Sequence, residues 1–203
     1  MKRLTLVHTS LNGTKSLSSS LAKEYASTWK TQHSDSMVTE IEFATTPIPH
    51  LTAETFGAFV TPPEERSAEQ RDLVAPSDKL IEQLKASDEL VLAVPMYNFG
   101  VPSQLRAYFD HIARAGTTFR YTPNGPEGLV ELEKVTVIAT RGGRYAGTEL
   151  DTQTTYLTNF FNFIGVSNID FIYAEGTAMG EESLTSSINE ARRSINATAI
   201  QSD

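Results

Sequence analysis

Short runs rich in aliphatic and β-branched residues recur along this chain, at residues 4–7, 89–94, 134–139 and 169–174. Between them lie longer stretches whose apolar residues return at helical spacing. This alternation constrains the fold more than any other feature. Strands separated by helices pair side by side in parallel, because each crossover needs a helix-sized connection that then covers the sheet. A further run, residues 37–43, alternates polar and apolar like a half-covered strand and is closed by Pro47 and Pro49. The spacing therefore predicts an α/β fold: a five-stranded parallel sheet with helices on both faces.

The helices expected between strands follow from the apolar stripes. Leu17, Leu21, Tyr25 and Trp29 mark the first, and residues 65–86 the second, with Leu73, Leu80, Ile81 and Leu84 inward. The next starts at Pro102, carries Leu105, Tyr108, Phe109 and Ile112, and stops at Gly116. Residues 151–164 and 183–199 complete the set; residues 44–65 read as turns and 119–130 as a loop. No linker interrupts the 203 residues, so a single domain over 1–203 is expected.

Composition removes several functions. Cysteine is absent, which excludes a disulfide framework, a thiol nucleophile and an iron–sulfur cluster. The four histidines are scattered without metal-ligand spacing. A net charge of −8 repels phosphate backbones, so no nucleic-acid partner is expected. No apolar run approaches the ~18–20 residues of a membrane span, and residues 4–7 are too short for the core of a signal peptide. A cytoplasmic protein without membrane insertion is the expectation.

Ligands of such sheets bind beyond the carboxyl ends of the strands, where strand order reverses. Three loops leave strand ends, at residues 9–16, 95–101 and 140–147, and should converge. The first leads into a helix N-terminus and brings Ser10, Ser16 and Ser18, a set suited to one terminal phosphate, or else to a helix cap at Ser16 with ordinary loop solvation by the other serines. It matches neither the triphosphate loop nor the dinucleotide fingerprint. The second, Pro95-Met96-Tyr97-Asn98-Phe99-Gly100-Val101-Pro102, combines a stiff backbone with two aromatics, and can hold a flat ring by edge and face. The third, Thr140-Arg141-Gly142-Gly143-Arg144-Tyr145, offers paired glycine amides to a carbonyl or an anion, while Arg141 itself also reads as the structural partner of a carboxylate.

The 95–102 loop, the stretch YFDHIARAGTTFRYTPNGPEGL at 108–129, Thr140–Gly143 and Ala174-Glu175-Gly176 together resemble the FMN-dependent NADH-azoreductases. These enzymes are also described as NADH:quinone oxidoreductases, and the likeness runs the length of the chain. The resemblance implies a flavodoxin-like three-layer sandwich with strand order 2-1-3-4-5, bound FMN, NADH or NADPH as donor, and a homodimer. It implies FMN phosphate contacts at Ser10, Ser16, Leu17 and Ser18, and ring contacts at Met96, Tyr97, Asn98 and Phe99. Thr140, Arg141, Gly142 and Gly143 then lie near the pyrimidine side. No side chain acts as nucleophile; flavin N5 carries the chemistry, and Phe99, Tyr145 and Phe163 are the candidates for stacking on a quinone or azo substrate. In some members histidine stands at the position of Tyr145. The adjoining stripes Tyr156, Phe160, Phe163 and Leu157, Phe161, Ile164 make an apolar face wider than a core-facing helix needs, which suits a two-fold partner or packing under the 119–130 loop. A second reading is a non-catalytic flavodoxin-type electron carrier.

Overall fold

The computed structural model describes residues 1–200, and residues 201–203 of the expected domain lie outside them. In chain order the elements are β1 (Lys2–His8), α1 (Leu17–Gln32), β2 (Ser36–Glu42), α2 (Ala53–Val60), α3 (Ala68–Lys85) and β3 (Glu89–Pro95). There follow α4 (Ser103–Ile112), β4 (Phe119–Thr122), β5 (Gly125–Gly128), β6 (Lys134–Thr140), α5 (Thr152–Ile164), β7 (Ile169–Ala174) and α6 (Glu181–Ile200).

The main sheet has the order β2-β1-β3-β6-β7, and all its pairs are parallel. Alternation along the strands divides the core into two layers. Leu4, Leu6, Val91, Ala93, Ile138 and Ile172 meet α1 and α6 on one face. On the other, Val7, Leu90, Leu92, Val94, Val135 and Val137 meet α3, α4 and α5. The three central strands are buried on both sides, which is why their sequences read as continuous apolar runs. Polar ties cross the first layer: the indole N–H of Trp29 donates to Glu89 Oε1 at 2.8 Å, and the Thr136 hydroxyl donates to the Tyr25 hydroxyl at 3.3 Å.

Two regions depart from the expectation. Residues 44–65 contain α2, an eight-residue helix capped by Thr52, whose hydroxyl accepts from the Thr55 amide. The 119–130 region is an antiparallel hairpin, β4 on β5, closed at Thr122↔Gly125. Its four-residue strands are too short to show alternation, although Asn124-Gly125 is a strong hairpin signal. The hairpin sits on the end of α5 with backbone against backbone: a Cβ on Gly128 would lie 2.0 Å from the Gly165 nitrogen. Helix α4 also ends earlier than expected, at Ile112, and Gly116 instead turns the chain toward β4.

The ladder continues one residue past three strand ends. The amide of Thr9 donates to Ala93 O, that of Met96 to Thr140 O, and that of Arg141 to Ala174 O. All three loops thus leave the same edge in register, at the point where the chain passes from one side of β1 to the other.

Candidate functional site

Ser16 is the N-cap of α1: its Oγ accepts from the Ser19 amide at 3.3 Å and lies 3.0 Å from Ser18 Oγ. Ser10, Ser16 and Ser18 are all buried, and Leu17 is half-buried. The first-turn amides of a helix have no intrahelical acceptor, so this loop presents hydroxyls and free N–H groups together, at the positive end of the helix dipole. Tyr97 reaches across from the second loop. Its hydroxyl lies 3.2 Å from Ser10 Oγ and accepts from the Leu11 amide at 3.3 Å. The expected tail and ring residues are therefore joined by a direct hydrogen bond.

The second loop reverses in two residues. Tyr97 and Gly100 exchange both backbone hydrogen bonds, at 3.1 and 2.9 Å, around Asn98 (φ 50°) and Phe99 (φ 60°). Both central residues occupy the left-handed region, which asparagine tolerates and phenylalanine resists at a cost of roughly 1–2 kcal/mol. Neighbours hold the turn in place. Gln153 Nε2 donates to Pro95 O and Gly100 O at 3.2 Å each, and the Thr152 hydroxyl donates to Phe99 O. The result is a half-exposed Phe99 ring set edge-on to Tyr145, with centroids 5.6 Å apart.

In the third loop the carbonyls face away from the site. Those of Arg141, Gly142 and Gly143 accept from the amides of Thr177, Ala178 and Gly176, at 3.1, 3.0 and 2.9 Å. Thr140 is buried at the strand end beneath them. Met96, Asn98 and Phe99 from one loop and Gly142 and Tyr145 from the other line a pocket of about 260 Å³. A larger cleft of about 970 Å³ runs from Leu11 and Asn12 past Met96–Asn98 to Arg106 and Tyr156. The second loop lines both openings; the first loop contributes Leu11 and Asn12 to the larger and the third Gly142 and Tyr145 to the smaller, while Ser10, Ser16, Leu17, Ser18 and Gly143 line neither.

Arg141 requires a correction. Its side chain is wholly buried behind the loop: one N–H group reaches Asp151 Oδ1 at 2.8 Å, another Glu175 Oε1 at 3.0 Å, and Nε reaches Gln153 Oε1 at 3.1 Å. The guanidinium also lies over the Tyr173 ring at 4.8 Å. With its amide and carbonyl spent on the sheet and on Thr177, it offers nothing to a ligand. Against the cost of burial, hydrogen bonds from the Thr154 amide and Arg141 hold the Asp151 carboxyl below the ordinary carboxylate range.

Phe163 is half-buried against Phe119 of the hairpin, with ring centroids 4.3 Å apart, and stands outside the residues lining either opening. Phe160 likewise stacks on Phe109 at 3.8 Å, so part of the wide apolar face of α5 is covered within the chain. Gln153, Asp151 and Glu175, which brace the site, went unread in the sequence. A buried glutamine in the first turn of a helix has no local signature, and a single arginine signals that it needs a carboxylate without saying which one.

The family model for the flavodoxin-like fold matches residues 2–199. The chain is 50% identical over 196 residues to an FMN-dependent NADH:quinone oxidoreductase of Alteromonas mediterranea, covering 96% of this chain and 97% of that one. Among solved structures, the azoreductase AzrA superposes with a TM-score of 0.90 at 23% identity, over 98% of this chain and 99% of that one. An FMN-dependent NADH-azoreductase from Bacillus anthracis, crystallised with FMN, gives 0.85 at 24% identity, over 98% and 100%. The family-model match over residues 2–199 and the 50% identity across nearly the whole chain, with three loops leaving one sheet edge, place the chain in the flavodoxin-like family to which the FMN-dependent NADH:quinone oxidoreductases belong.

Proposed function

We propose that this chain is an FMN-dependent NAD(P)H oxidoreductase that reduces quinones and azo compounds by two electrons, each substrate occupying the same opening in turn. The observation that carries this reading is the joining, through the Tyr97 hydroxyl on Ser10 and Leu11, of a hydroxyl-rich helix start to a strained, aromatic-flanked turn. The donor set fits the cofactor. Buried Ser10, Ser16 and Ser18 with the free amides of α1 match a terminal phosphate. FMN, when bound, supplies the redox centre that takes two electrons from the nicotinamide and passes them to the acceptor.

The protein's own residues position and tune. Ser16 and Ser18, with the amides of Leu17 and Ser18, would hold the phosphate. Backbone groups of Met96–Phe99 would meet one edge of the ring, and the amides of Gly142 and Gly143 the pyrimidine side. Fixed amide dipoles favour negative charge at that side, which makes reduction easier without any side chain changing protonation. Phe99 and Tyr145 flank the opening and exclude water from its mouth. Over a full cycle NADH loses a hydride, and a quinone gains two electrons and two protons, one proton coming from solvent.

A homodimer is the proposed assembly, supported by Tyr156, Phe160 and Phe163, which stay only half-buried within one chain. Phe163 would reach a flavin site only across such an interface. One domain over residues 1–203 and a cytoplasmic location complete the reading; among the described residues no helix is long and apolar enough to cross a membrane. The test is NADH oxidation by the purified, FMN-loaded protein with and without benzoquinone. Oxidation that requires the quinone and gives parallel double-reciprocal plots supports the enzyme. A flavoprotein that NADH leaves oxidised under anaerobic conditions would be the electron carrier instead.

A further inference from the structure

One side chain touches the supports of both loops that border the ring site. Arg141 Nε donates to Gln153 Oε1 at 3.1 Å, and the other end of that amide donates to Pro95 O and Gly100 O, the two ends of the strained turn. On the opposite side Arg141 pairs with Glu175 Oε1 at 3.0 Å. The same oxygen accepts the amides of Tyr145 and Ala146, at 2.8 and 2.9 Å. Asp151 and Thr154 fix the third direction, at 2.8 and 2.9 Å. The guanidinium and Gln153 are fully buried, so no water competes for these bonds.

We infer that Arg141 is a positioning residue: through Gln153 it sets the Asn98–Phe99 turn, and through Glu175 the Gly142–Tyr145 loop, so that amides from both loops meet one flavin in fixed register. The role is mechanical and electrostatic together. A planar fork with five donors holds partners in set directions, which a lysine ammonium cannot do. The left-handed turn needs such a hold, since Phe99 alone would relax out of it. If both loops are held, the amides favour the reduced over the oxidised flavin. If either loosens, the preference falls, and with it the reduction potential. The inference rests on the FMN reading above.

Two variants and two measurements test it. Gln153→Leu cuts the link to the turn but leaves Arg141 its carboxylates; Arg141→Lys keeps the charge but loses the fork. In the chain without FMN, amide hydrogen exchange should quicken at Tyr97 and Gly100, whose amides close the turn, for Gln153→Leu. For Arg141→Lys it should quicken both there and at Tyr145 and Ala146. In the FMN-loaded proteins the two-electron midpoint potential should fall by about 30 mV, a tenfold loss of preference for the reduced cofactor. Affinity for oxidised FMN should change less than that, because Ser16 and Ser18 hold the tail. A lowered unfolding midpoint with unchanged potential would make Arg141 an ordinary brace and overturn the inference, as would Arg141→Lys exchange confined to one loop. If Arg141→Lys does not fold, Gln153→Leu decides by the same two readouts. Should the wild-type chain take up no FMN, the functional proposal fails, while exchange in the empty chain still decides whether Arg141 couples the loops.

Discussion

Replacing Ser16 by aspartate separates two roles that one serine plays. As N-cap, Ser16 accepts the Ser19 amide. Aspartate caps as well as serine, and its charge at the helix start adds about 0.3–1 kcal/mol of stability. The chain without FMN should therefore unfold at the same or a slightly higher urea concentration. For phosphate the sign reverses: two like charges about 4 Å apart repel by about 4 kcal/mol at an effective dielectric near 20. That is roughly a thousandfold loss of FMN affinity, at tenfold per 1.4 kcal/mol. Riboflavin, which lacks the phosphate, should bind the variant as it binds wild type. The assay is flavin fluorescence quenching beside urea unfolding. An FMN affinity within tenfold of wild type, or a parallel loss for riboflavin, would refute the placement of the phosphate at this helix start.

Gly128→Ala drives a Cβ into the backbone of Ile164 and Gly165, at 2.1 and 2.0 Å, so the hairpin must lift from α5. The expected cost is about 1–3 kcal/mol in urea unfolding, with the near-ultraviolet signal of the Phe119–Phe163 contact altered; an unchanged midpoint would mean the contact is loose. Asp151 has its folded pKa below the ordinary 3.8, so its stabilising contribution is complete above that pH and is lost as pH falls through the lower, folded value. Asp151→Asn keeps the cap but should lose about 1.5–3 kcal/mol at neutral pH and show a flatter decline as the pH falls below the ordinary carboxylate range. Identical acid limbs for the two proteins would show that Asp151 does not titrate with folding.

The sheet was legible because burial on both faces writes itself into continuous apolar strands, as at Leu90–Val94 and Val135–Ala139. Ser16 as a cap and the exit of three loops from one sheet edge followed from local rules. What escaped reading depends on contacts distant in sequence. Arg141 looks like a ligand beside Gly142 and Gly143, and only the positions of Asp151, Gln153 and Glu175 turn it inward. The β4–β5 hairpin is held by a glycine pairing 37 residues apart, Gly128 against Gly165, which no window along the chain contains. Phe99 sits at positive φ against its own preference, so propensity alone points the wrong way.

The carbonyls of residues 141–143 are all engaged by the segment 176–178. A wall whose every acceptor is occupied has no slack, and to shift it would pull the exit of β7 along. Acceptors of different shape must therefore be admitted by the side of the opening that this fold leaves uncovered, and the breadth of molecules reduced becomes a property of the rim and not of the bed on which they rest.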